Sequence, residues 1–169
     1  MQKGEWEQRV AALWASLDER GRDDFHTAMK KLCAELPQGA AEADFELASA
    51  YDSTGYPERA VPLYGKALET GLEGERRRRA VIQLASSLRN LGRPDISVTM
   101  LTDERGRGRD QLSDAVDAVL ALALADTGRE REALSLALTA LAPHLPRYQR
   151  SMKNYARALL EKPEGTDEG

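Results

Sequence analysis

Few residues in this chain have the types and spacing that chemistry requires. His26 and His144 are the only histidines in 169 residues. No HExxH motif and no His/Asp/Ser arrangement accompanies them, so neither a metal site nor a catalytic triad is expected. Cys33 is the single cysteine. It can form no intrachain disulfide and no Cys-based zinc site, and its place beside Met29 and Leu32 marks it as a small core residue rather than a nucleophile. Gly106-Arg107-Gly108-Arg109 lacks the Lys-Ser/Thr ending and the preceding strand of a phosphate loop, and reads as a flexible link. The chain is therefore expected not to be an enzyme, with no catalytic or metal-ligating residue and no cofactor.

Binding chemistry is better represented. Arg76-Arg77-Arg78-Arg79 falls in the first turn of a helix, where each positive charge opposes the helix dipole by roughly 0.3–1 kcal/mol. An acidic partner in this chain, a second subunit or a ligand would offset that cost. Four consecutive residues point all around a helix, so most of them read as solvated surface. Arg79 stands apart because Gln83, Ser86 and Asn90 follow it at i+4, i+7 and i+11 on one face. A guanidinium fork with neighbouring amides suits a carboxylate or the backbone of an extended peptide. The same spacing places Glu42, Glu46, Ser49 and Ser53 together upstream, and Ala115, Val119, Leu122 and Asp126 downstream. The competing reading of Arg79 is a structural ion pair with Glu42 or Glu46.

Composition narrows the partner. Apolar residues make up 41%, charged residues 31% and aromatics 5%, with a formal net charge of −4. Those values suit a soluble helical protein. They argue against nucleic acid and anionic membranes as partners, since neither stacking platforms nor net positive charge are present. Met1-Gln2-Lys3-Gly4-Glu5-Trp6 has no apolar signal core, and the longest apolar run, Ala118 to Ala125, is too short to span a bilayer. A cytoplasmic location is the expectation.

The elements that must position these residues are helices. Trp6, Val10, Leu13, Trp14 and Leu17 recur at helical spacing over Glu5 to Arg20, as do Phe25, Met29, Leu32 and Leu36 over Asp23 to Leu36. Further helices are expected over Ala40 to Thr54, from Pro57 to the break at Gly71, over Glu75 to Leu91, Leu112 to Thr127, Glu130 to Ala142, and Arg147 to Leu160. Pro94 opens another helix, but Ile96-Ser97-Val98-Thr99-Met100 also alternates like a strand, so a short, weak helix is predicted there. Gly21, Gly55, Gly92 and Gly128 each close one helix ahead of a helix-start signature, at spacings of 34, 37 and 36 residues. A period in that range signals stacked copies of one supersecondary unit.

Aligned on those glycines, three segments resemble tetratricopeptide repeats. They are Leu47-Ala48-Ser49-Ala50-Tyr51-Asp52-Ser53-Thr54-Gly55-Tyr56-Pro57-Glu58-Arg59-Ala60, Leu84-Ala85-Ser86-Ser87-Leu88-Arg89-Asn90-Leu91-Gly92-Arg93-Pro94-Asp95, and Leu120 to Gly128 followed by Ala133, Ala137 and Ala140. A degenerate pair around Gly21 departs from the pattern, with His26 in a slot that prefers a small residue and Lys30 replacing the aromatic. Residues 71–92 also resemble a group of small bacterial single-domain tetratricopeptide proteins thought to act as homodimers. The resemblance implies an all-α fold, a right-handed superhelix of antiparallel helix pairs with a C-terminal capping helix. One domain over residues 1–162 is expected, with a degenerate pair (1–38), repeats at 41–74, 78–111 and 114–146, a C-terminal helix at 147–162 and a disordered acidic tail at 163–169.

In that fold the first helix of each pair lines a concave surface. The implied function is a non-catalytic module for protein–protein interaction. It holds a protein or peptide segment with Glu42, Glu46, Ser49, Arg79, Gln83, Ser86 and Asn90. The alternative is a structural homodimer without a peptide ligand, whose interface is Val119, Leu122, Tyr148, Met152, Tyr155 and Leu159. The helix Arg147 to Leu160 is the expected cover for the apolar stripe at Val119 and Leu122.

Overall fold

The computed structural model describes residues 3–161, and all regular structure among them is helical. The expected tail at 163–169 lies outside the described residues. Among the described residues nine α-helices follow one another: α1 (Lys3–Ala15), α2 (Arg22–Cys33), α3 (Ala41–Ser53), α4 (Pro57–Glu69), α5 (Gly74–Asn90), α6 (Pro94–Gly106), α7 (Ser113–Asp126), α8 (Glu130–Leu141) and α9 (Gln149–Ala158). They fall into two compact units that divide between Leu91 and Gly92.

In the first unit α1 packs on α2, α2 on α3, α3 on α4, and α5 on both α4 and α3. Trp6, Val10, Leu13, Phe25, Met29 and Leu32 form a core joined by Ala50, and the Trp6 indole N–H donates to the Leu32 carbonyl at 2.8 Å. Ala48, Ala60, Ala67, Ala80 and Ala85 are fully buried. Their small side chains let neighbouring helices approach closely, while Phe45 and Tyr64, also fully buried, fill the space beside them. The Tyr64 hydroxyl donates towards Ser49 and Asp52, and Ser87 donates to Asp52 at 2.7 Å, so one carboxylate ties α3, α4 and α5 together.

In the second unit α6 packs on α7, α7 on α8, and α8 on α9. Leu101, Val116, Ala123, Ala142 and Ala156 are fully buried there. The expected weak helix after Pro94 is a full 13-residue helix. Pro94 presets its first turn, and Ser97, Leu101 and Glu104 bury at i, i+4 and i+7 against the neighbour. That helical burial overrides the strand-like alternation.

The turns follow the glycines. At Gly55, φ is +89°, and the Tyr56 N–H reaches back to the Tyr51 carbonyl at 2.9 Å. Gly128 repeats this with φ +78° and an Arg129-to-Leu124 bond of 2.9 Å. Both are helix ends closed by a left-handed residue. Gly21 differs: its φ is −65°, and it caps the start of α2 rather than ending α1.

Candidate functional site

The α5 face carrying Arg79 is built by apolar anchoring on its opposite side. Ala80, Val81, Leu84, Ala85 and Leu88 are buried, which leaves Arg79 and Asn90 exposed and Gln83 and Ser86 half-buried. The Arg79 guanidinium lies 5.3 Å from the ring centroid of Phe45, which is fully buried on α3. It forms no salt bridge among the described residues. Stacking on an aromatic face fixes the plane of a guanidinium and leaves its N–H edge open to an acceptor. Next along the face, Gln83 Oε1 is buried and has no hydrogen-bond partner among the described residues. At the end, Asn90 Oδ1 accepts from Arg89 at 3.4 Å. A hollow of about 520 Å³ opens at the Arg79 end, bounded by Glu42, Leu72, Glu75 and Arg76.

The α3 row is far less open than its spacing suggests. Glu42 is half-buried and Ser53 exposed, but Glu46 and Ser49 keep only 3% and 2% exposure. Glu46 accepts from the Trp14 indole N–H at 2.8 Å and from Arg76 Nε at 3.0 Å. Ser49 lies beneath the Tyr64 hydroxyl. These two side chains are held inside the first unit rather than offered to a ligand. The four arginines also divide their work: Arg78 is buried, Arg76 and Arg77 half-buried, and only Arg79 exposed. Arg76 pairs with Glu7 through Nη1 at 2.8 Å as well as with Glu46, and sits 5.8 Å from the Trp6 ring. The Glu7 hydrogen bond, with Glu46 beside it, raises its pKa above the ordinary guanidinium value. The acidic partner for the start of this helix therefore comes from the same chain. The ion pair that sequence reasoning offered to Arg79 belongs to Arg76.

In the second unit the α7 row places Val119 half-buried and Leu122 at 49% exposure, with Ala115 and Asp126 exposed. The expected cover for this stripe is the last helix. It packs instead on α8, where Ser135 donates to the Ala156 carbonyl at 2.6 Å and Arg131 to that of Leu159 at 3.0 Å. Those two contacts run in opposite directions along the helices, so α8 and α9 are antiparallel. The small side chain of Ala156 permits the close approach and sets the packed face. Met152 and Leu159 are left half-buried, and Tyr155 and Tyr148 stay 66% and 75% exposed.

His26 and Cys33 belong to the first unit and His144 to the second. His26 is buried in the first unit, and burial lowers its pKa. His144 is exposed in the second, 2.9 Å from Asp114. The Cys33 thiol donates to the Ala43 carbonyl at 3.3 Å, and burial pushes its pKa up to about 12. Among the described residues no group of three or more His, Cys, Asp or Glu could hold a metal ion, and no helix is long and apolar enough to cross a membrane. The arginines of the Gly106–Arg109 segment are engaged by acids: Arg107 approaches buried Glu104 at 3.6 Å, and Arg109 approaches Asp114 and buried Asp117.

No curated protein matches the chain. A family model described as Tetratrico peptide repeat matches residues 41–159, from the first residue of α3 to just beyond α9, and leaves α1 and α2 outside the match.

Proposed function

The chain belongs to the tetratricopeptide repeat family, and on that premise we propose that it is a non-catalytic interaction module holding a protein segment along α5. Arg79, Gln83, Ser86 and Asn90 make the contacts, with Glu42 at the edge. One observation carries this reading: Arg79 is exposed, ordered against Phe45 and unpaired. Its free N–H edge suits a carboxylate or a peptide carbonyl. Gln83, one turn further on, and Asn90, about three turns further on, suit the N–H and C=O groups of an extended chain. Glu46 and Ser49 support the row from within and make no ligand contact.

A photo-crosslinking residue placed at Ser86 tests the proposal. It is expected to trap a protein partner in wild type, and the yield should fall several-fold when Arg79→Ala and Asn90→Ala are combined. An unchanged yield in the double variant would remove the proposal.

A second reading is a homodimer formed through the apolar surface of the second unit. Leu122 and Tyr155 favour it, because both remain largely exposed. A contiguous apolar patch in water is the usual mark of a surface that a partner covers, and this reading joins the two side chains into such a patch.

A further inference from the structure

The two positions at which the first helix pair departs from the repeat pattern, His26 and Lys30, meet around a single ring. Both belong to α2, one turn apart, and both reach Tyr51 of α3. The His26 ring centroid lies 4.7 Å from that of Tyr51, and Lys30 Nζ lies 5.9 Å from it. Arg59 of α4 brings a second cation, 5.6 Å from the Tyr51 ring and 5.3 Å from that of Tyr56. Tyr56, on the turn after Gly55, closes against His26 at 5.5 Å. Three helices and a turn of the first unit therefore contribute to one cluster.

Packing accounts for the buried rings of His26 and Tyr51. It does not account for the two cations. Lys30 and Arg59 are exposed, and neither forms a salt bridge among the described residues. Their charges border the Tyr51 ring at 5.9 and 5.6 Å from its centroid, and an anion bound beside that ring would be attracted by both. The Tyr51 and Tyr56 hydroxyls donate to no group among the described residues and remain available as neutral donors. Asp23 is the acid that acts on the His26 ring, while Lys30 and Arg59 act on it in the opposite sense.

We propose that Lys30 and Arg59, with the Tyr56 hydroxyl, form a binding site for a phosphate monoester. Two cations match a dianion, whereas a carboxylate would neutralise only one of them. The phenol adds a neutral donor that a phosphate oxygen can use. Two sources share this chemistry: a free phosphate compound and a phosphorylated side chain of a partner protein.

The test follows the His26 ring by NMR in the full chain, with His144 of the second unit as internal reference. The probes are inorganic phosphate and N-acetyl-O-phosphoserine amide, each set against sodium chloride of equal ionic strength. Binding should give a saturable shift of the His26 signals. It should also raise the His26 titration midpoint, because a negative charge beside the ring favours its protonated form. Lys30→Gln and Arg59→Gln should each weaken binding about tenfold, the usual worth of one hydrogen bond to a charged group. Both replaced residues are exposed, and far-UV circular dichroism compares the fold of each variant with wild type. Tighter binding of the phosphoserine amide assigns the site to a phosphorylated segment, and equal binding assigns it to free phosphate. The proposal fails if no saturable shift is seen, if chloride reproduces it, or if both variants retain it.

Discussion

Arg76 and Glu46 join α5 to α3 at 3.0 Å, where the glutamate is almost completely buried. The pair gives a stability prediction. Arg76→Ala would strand the Glu46 carboxylate away from water with the Trp14 indole N–H as its hydrogen-bond donor, and would remove one partner of Glu7 on α1. Breaking a buried pair from one side costs about 3 kcal/mol. Urea unfolding should show that loss. Glu46→Gln keeps an acceptor for Trp14 and adds no stranded charge, so it should cost clearly less. Equal losses in the two variants would show that lost packing, rather than the stranded charge, sets the cost.

The glycines give a second prediction. No atom lies within 4 Å of a Cβ added at Gly55, but φ is +89°. Gly55→Ala therefore has room and still pays the left-handed penalty, about 1 kcal/mol of stability. Gly21 occupies extended backbone at the start of α2. Gly21→Ser supplies a capping hydroxyl there and should stabilise by a few tenths of a kcal/mol. Thermal melts of the two variants should move in opposite directions.

These glycines also mark what could be read from the sequence. The period, the helix order and the left-handed ends at Gly55 and Gly128 all depend on residues near each other in the chain. The role of each arginine in the 76–79 run does not. It depends on which acids α1 and α3 bring to the start of α5, and Glu7 lies 69 residues from Arg76. Spacing placed Glu46 and Ser49 correctly on one face of α3. It gave no sign that Trp14, Arg76 and Tyr64 would fill that face. On α9 the sequence showed an apolar stripe through Tyr155, whereas Ala156, the small residue next to it, makes the close contact with α8.

His26 predicts an acid-sensitive fold. Thr54 Oγ1 donates to the Ala50 carbonyl at 2.8 Å and lies 2.6 Å from His26 Nε2, so its lone pair accepts from the N–H of a neutral ring. Burial lowers the folded-state pKa below the ordinary value of 6.5; a hydrogen bond to the Ala50 backbone and Asp23 oppose this, and Lys30 and Arg59 add to it. The unfolded chain then takes up the proton first as pH falls. The stability that neutral His26 contributes is complete above about pH 6.5 and is lost as pH drops towards and through the lower folded value. Urea midpoints at pH 7.5 and 5 should show this loss in wild type, and His26→Gln should flatten the difference. An identical pH dependence in the variant would place the acid sensitivity elsewhere.

Self-association gives the last prediction. On α9 the buried Ala156 faces α8, and Tyr155 lies about 100° round the helix from it. Tyr155→Asp therefore places a charge on the open side of the second unit without disturbing the Ser135 and Arg131 bonds to the α9 carbonyls. If the apolar surface joins two copies, light scattering should give twice the chain mass for wild type and a single-chain mass for Tyr155→Asp. Leu122→Asp on α7 separates the parts of that surface: it should also dissociate the dimer if the α7 stripe belongs to the interface, and leave it intact if α8 and α9 alone form it. A wild-type mass of one chain at concentrations up to about 100 μM, weak even for a transient contact, would remove the homodimer reading and leave Leu122 and Tyr155 to a different partner.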